Sequence, residues 1–278
     1  MSLGAALETL YGSTDFTARI QRDPVRAAHR YADPLDQELA GLVSALFAYG
    51  RVDLFGPVVD EVLRRMGPSP RAFVDRFTDT GQFADIVYRW NRGPDVVQLC
   101  QGLQGVLAKH GSLGALARPR GRDTIEVLVA ALHEEAARVA GLEPSAMPRG
   151  FRSWMTRPSK GSACKRWAMY VRWMVRSDRE GVDLGIWDAP ASGLTIPVDV
   201  HVLRISRFIG LTERGDGSWR TAEAITARLR EFDPDDPVRF DFALAHLGIS
   251  GLCVGHKRAQ CSACPLEPYC SASWKPKT

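Results

Sequence analysis

What this sequence lacks narrows its class before any motif is read. No apolar run approaches the ~20 residues that a membrane-spanning helix needs, and the longest, around Leu39 to Tyr49, is much shorter. Met1 to Ser13 carries no Lys/Arg-led apolar leader. Strand-type alternation between turn signals is scarce, and there is no internal repeat, low-complexity tract or long block of like charge. These absences argue against a membrane protein, an exported protein, an all-β domain and a disordered chain. The expected location is the cytoplasm. Charge of one sign is also in short supply. The formal balance of +4 and pI near 8.8 suit a polyanionic partner without requiring one.

What is present is an ordinary globular composition, 45% hydrophobic over 278 residues, enough for one large core or two modest ones. Apolar residues recur at helical spacing through Asp36–Tyr49, Leu54–Met66, Asp95–His110, Thr124–Ala140, Ala163–Val175, Val200–Ile209 and Thr221–Phe232. The fold class this predicts is all-α. Breaks are expected at Gly67-Pro68-Ser69-Pro70, at Gly93-Pro94, at Arg118-Pro119-Arg120-Gly121-Arg122 and across Asp178–Thr195. The last is rich in Gly and Pro and reads as the longest linker.

The six cysteines are unevenly placed. Cys100 and Cys164 stand alone, whereas the C-terminal segment reads Cys253-Val-Gly-His-Lys-Arg-Ala-Gln-Cys261-Ser-Ala-Cys264-Pro-Leu-Glu-Pro-Tyr-Cys270, with seven, two and five intervening residues. Such clustering in a large chain without a leader favours metal over disulfides. A C-x-x-C pair folds back so that both sulfurs reach one centre, and soft thiolates select zinc or an iron–sulfur cluster. Spacing alone leaves that choice open.

Two further segments carry chemistry. Pro158-Ser-Lys160-Gly161-Ser162-Ala163-Cys164-Lys165-Arg166 is a Gly-containing turn that opens an apolar helix, and backbone N–H groups at such a start suit a phosphate. Ile196-Pro197-Val198-Asp199-Val200-His201 places Asp199 directly before another apolar helix, where it reads as an N-cap whether or not it does chemistry.

Taken in order, these three segments resemble the helix-hairpin-helix DNA glycosylase superfamily, as in endonuclease III and 8-oxoguanine DNA glycosylase. The cysteine quartet is similar to that family's [4Fe–4S] loop, with one residue more in the first interval. The turn matches the family's hairpin at Gly161 and Lys165 and departs from it at Ala163 and at Ser159-Lys160. The resemblance is most secure from Pro158 to Cys270, and Asp178–Thr195 then reads as an insertion.

The resemblance implies a two-domain all-α fold: residues 36–190 a helical domain ending in the hairpin, residues 1–35 and 191–278 a second helical domain holding the cluster. It implies a monomeric DNA-repair enzyme acting on double-stranded DNA with a damaged base, associated with the nucleoid if the chain is bacterial. It assigns Cys253, Cys261, Cys264 and Cys270 to a [4Fe–4S] cluster, with zinc as the alternative. Lys165 becomes the amine nucleophile of an N-glycosylase and abasic-site lyase, with Lys160 as a rival, and Asp199 the carboxylate that opposes oxocarbenium charge. Lys160, Gly161, Ser162, Ala163 and Arg166 are expected at the DNA backbone, as are Lys257 and Arg258 of the cysteine loop. Tyr49 and Arg51 are expected to fill the gap left by an extruded base, by stacking and by hydrogen bonding. Trp154, Trp167, Trp173 and Trp187 are candidates either for the base pocket or for core packing, and His201 has no catalytic role. The base is oxidised, 8-oxoguanine or a pyrimidine. The alternative function is a damage-sensing DNA-binding protein without catalysis on the same scaffold. A zinc-ribbon module fused to a helical domain is a third reading.

Overall fold

The computed structural model describes residues 2–117, 122–178 and 180–273. Among them the chain is predominantly α-helical, with no helix long and apolar enough to cross a membrane. In chain order the helices are α1 (Leu3–Gly12), α2 (Phe16–Ile20), α3 (Pro34–Phe47), α4 (Val52–Met66), α5 (Pro70–Asp75), α6 (Gly93–His110), α7 (Leu113–Ala117), α8 (Arg122–Ala140), α9 (Arg149–Trp154), α10 (Lys165–Val175), α11 (Val200–Phe208), α12 (Trp219–Arg230) and α13 (Asp241–Ile249). An antiparallel hairpin of β1 (Val87–Tyr88) and β2 (Asn91–Arg92) stands before α6.

The seven helices expected from apolar periodicity are α3, α4, α6, α8, α10, α11 and α12. The others gave little periodic signal. α2, α5, α7 and α9 are shorter than the window in which a helical period shows. α13 is apolar around most of its surface and therefore lacks a stripe. α10 starts at Lys165 rather than Ala163, because the Ala163 N–H donates to Gly217 O at 3.2 Å and Cys164 adopts a left-handed φ of 48°. Several other helix starts are capped, as where Asp33 accepts from Leu35 N–H at 2.8 Å and Pro34 opens α3.

The buried residues form one contiguous cluster that takes in both expected halves of the chain, with Trp154, Trp167, Trp173, Tyr170 and Phe47 fully buried at its centre. Two glycines permit close helix contacts. A Cβ at Gly102 of α6 would come within 2.8 Å of Leu132 O on α8, and one at Gly248 of α13 within 2.6 Å of His201 on α11. The second contact brings α11 and α13 together as two walls of the cleft described below.

The stretch 178–195 is not a linker. Leu184 N–H donates to Trp173 O at 2.8 Å and Trp187 N–H to Met174 O at 2.7 Å, so the segment lies along α10. Asp183, buried, pairs at 3.0 Å with both Arg172 and Arg176, while Trp187 donates through Nε1 to Glu38 at 2.7 Å. Its glycines and prolines set turns inside a packed strap. What ties it down is a buried ionic network, whose members would be costly to expose singly. Arg179 and the Arg118-Pro119-Arg120-Gly121 part of another expected break lie outside the described residues.

Candidate functional site

A cleft of about 810 Å³ opens where the end of α3, the start of α4 and the first turns of α10 and α11 face α13. Lys165 and Asp199 both line it, although one opens α10 and the other caps α11. The cap is real: Asp199 Oδ1 accepts from His201 N–H at 2.8 Å and Val202 N–H at 2.9 Å. Both bonds fall on one oxygen, leaving Oδ2 outside the cap. Lys165 Nζ has only the thioether of Met169, 3.2 Å away, and makes no ion pair among the described residues. A fixed carboxylate and an amine not tied to an acid thus share one polar-floored space.

That floor was not legible beforehand. Asp241, at the start of α13, receives Arg172 Nη1 on Oδ2, while Oδ1 is buried with no hydrogen-bond partner among the described residues. Burial pushes its pKa up to about 6, Asp199 adds to the rise, and Arg172 and Lys165 hold it down. Beside it Asp23 accepts from His246 at 3.3 Å. Burial works against that carboxylate's charge, but the His246 contact and the Val25 N–H keep its pKa below the ordinary value. The one sequence signal for this floor is Arg172, an arginine among the apolar residues of α10 and almost fully buried. Charge at such a place requires acids opposite it.

At the rim Tyr49 and Arg51 line the cleft, but Tyr49 is already engaged. Its ring lies parallel to Trp90, centroids 4.8 Å apart at 13°, with the Arg166 guanidinium over it at 5.4 Å. Its hydroxyl donates to Asn91 Oδ1 at 2.6 Å, and burial pushes the phenol up to about 12. Arg166 is likewise internal, donating to Leu46 O at 2.8 Å and to Ser153 O. Burial pulls its pKa down to about 10, so it is still charged at neutral pH. Arg51 pairs with Asp53 at 2.7 Å on the surface. Of the tryptophans, Trp154, Trp167, Trp173 and Trp187 are buried and none lines the cleft, so they belong to the core. The tryptophan at the cleft is Trp90, which sequence reasoning passed over because a two-residue strand on either side leaves no periodic signal.

Lys160, Gly161, Ser162 and Ala163 do not line the cleft. Lys160 and Gly161 are exposed, and Gly161 takes a left-handed φ of 82°. The hairpin's N–H groups are largely satisfied within the chain: Gly161 to Pro158 O at 2.9 Å, Ala163 to Gly217 O at 3.2 Å, Cys164 to Ser162 Oγ at 3.1 Å. What it leaves uncapped is the start of α10, where Cys164 makes no side-chain cap bond.

Behind α11 and α13 lies a separate cavity of about 320 Å³, lined by Cys253, Cys261, Cys264 and Cys270 and by apolar side chains including Leu10, Ile205 and Leu266. All four thiols are free of disulfides. Burial raises the Cys264 thiol, and the other three, near enough to repel a thiolate, raise it further. Among the described residues no three His, Cys, Asp or Glu side chains stand close enough to hold a single metal ion. Lys257 is turned inward to Glu267 at 2.7 Å, its side chain 15% exposed, so it is not presented to a phosphate as expected. Arg258 is half-buried, its N–H donating to Cys261 Sγ at 3.3 Å.

The profile of a family described as a protein of unknown function (DUF2400) matches residues 23–250. That span contains Lys165, Asp199, Asp241 and the rim of the cleft, and stops short of the cysteine loop. No curated protein and no solved structure matches the chain.

Proposed function

The chain belongs to the DUF2400 family, and from that premise we propose that it is a DNA glycosylase of the helix-hairpin-helix type with abasic-site lyase activity. In this reading it acts as a monomer in the cytoplasm on duplex DNA carrying an oxidised base. One observation carries the reading: Lys165 and Asp199, from two different helix starts, line one cleft, the amine making no ion pair among the described residues and the carboxylate fixed by two backbone N–H groups.

The chemistry follows from those two groups. A base must leave the stack before its glycosidic bond is accessible, and the cleft receives it. As that bond breaks, its electron pair departs with the base and positive charge grows at C1′, which the fixed Asp199 carboxylate opposes. Lys165 then bonds to C1′, and the nitrogen loses its proton as the sugar ring opens to the imine. Loss of a C2′ proton expels the 3′ phosphate and breaks the strand.

Four soft thiolates in one cavity suit a [4Fe–4S] cluster, with zinc as the alternative. Zinc needs four donors at about 2.3 Å from one point. Four free thiols line the cavity of about 320 Å³. Cys253, Cys261, Cys264 and Cys270 would hold a [4Fe–4S] group. Its contribution would be structural, closing the C-terminal loop against α11 and α13.

A second reading, a damage-sensing DNA-binding protein without catalysis, keeps the same scaffold and cleft. Incision assays on duplexes carrying 8-oxoguanine, an oxidised pyrimidine or an abasic site separate the two. The expected result is cutting by the wild type, with base excision slowed ~10²–10³-fold by Asp199→Asn. Because Asn still caps the helix, its thermal midpoint should hardly move. Tight binding with no cutting of any duplex leaves the sensor.

A further inference from the structure

Trp90 is 51% exposed at the rim of the cleft, whereas Trp154, Trp167, Trp173, Trp187 and Trp219 are all buried. An exposed indole is ordinarily free to move; this one is fixed. Nε1 donates to Ser153 Oγ at 3.0 Å, and one ring face lies on Tyr49. Tyr49 is held by Asn91, itself fully buried and donating to Gly150 O at 2.9 Å and Asp95 at 3.2 Å. The hairpin turn that presents the indole is strained, since Arg89, a residue with a full side chain, holds φ at 52°. A buried amide, a stacked phenol and a strained turn all serve to present one free aromatic face. Exposed arginines adjoin it: Arg89 and Arg92 on the same hairpin, Arg152 next to Ser153 in the chain, and Arg51 at the cleft, paired with Asp53.

We infer that the outer face of Trp90 is a stacking site for an unpaired nucleobase at the mouth of the cleft, with the surrounding arginines meeting the flanking phosphates. Every base offers a π-face, so such a site is tolerant of sequence, and the cations give it a preference for a polyanion. Tyr49, whose ring is already occupied, becomes the support of that site and not the stacking residue. This inference takes its ligand from the proposed function.

The test uses the full-length protein and two fluorescent twelve-residue oligomers, oligothymidylate and a base-free abasic chain of equal charge, at one salt concentration. The wild type should bind the base-bearing oligomer ~10-fold or more tightly than the base-free one. Trp90→Leu, which keeps apolar surface without a ring, should erase most of that ratio and leave base-free binding unchanged; Trp90→Phe should keep most of it. A wild-type ratio near one, or an unchanged ratio in Trp90→Leu, overturns the inference. The ratio requires no chemistry. A protein that stacks but never cuts therefore contradicts only the proposed function, and one that cuts with its ratio intact in Trp90→Leu contradicts only the stacking site.

Discussion

The walls of the cleft come from stretches scattered between Arg22 and Ile249 and bring Lys165, Arg172, Asp199 and Asp241 together; the smaller cavity also has charged residues in its walls, but all four of its cysteines are supplied by one short segment. The first is a place where charges meet only after the chain has folded. The second is a local loop that folding merely seats against α11 and α13. Under the proposed function chemistry falls to the one and stability to the other, and the difference also explains why the cysteines could be read from spacing while the cleft could not.

The assignment can be broken. If the cysteine cavity serves stability, Cys264→Ser should lower the thermal midpoint by on the order of 10 °C and remove any visible absorption due to iron and sulfur. The surviving folded fraction should keep its reaction with DNA. Unchanged stability, or lost chemistry in a fully folded variant, would erase the distinction between the two sites.

A smaller effect belongs to the cleft. Asp241 faces Arg172 and Lys165 on α10, Asp199 at the start of α11, and the Asp23–His246 pair, with Asp183 beyond Arg172. Its pKa in the folded protein is about 6, against an ordinary 3.8. The folded state therefore holds the Asp241 proton more tightly than the unfolded state. The associated stability is full below about pH 4 and is lost as pH rises through 6, on the order of 1–3 kcal/mol. Relative to Asp241→Asn, the wild type should gain stability as pH falls from 7 to 5; a flat difference would mean that Asp241 titrates normally.

Legibility followed the same divide. Long amphipathic helices such as α3, α6 and α8 announced themselves by period, and Asp199 was identifiable as a cap because capping is a local matter. Asp241, Arg172, Asp23 and His246 were not, because a buried ionic floor exists only between elements. Tyr49 and Arg166, expected to meet DNA, line the cleft, yet each is committed to an internal partner that no local pattern reveals. The strap at 178–195 misled for a related reason: glycine and proline mark turns, and a turn-rich segment pinned by Asp183 and Trp187 has the composition of a linker.

The central claim is that Lys165 is a nucleophile poised beside Asp199, and borohydride trapping on abasic-site duplex tests it most directly. The account predicts a covalent protein–DNA adduct with the wild type, and none with Lys165→Gln at undiminished DNA binding. An adduct that persists in Lys165→Gln but disappears in Lys160→Gln, or no adduct at all with a wild type that binds the duplex tightly, would contradict it.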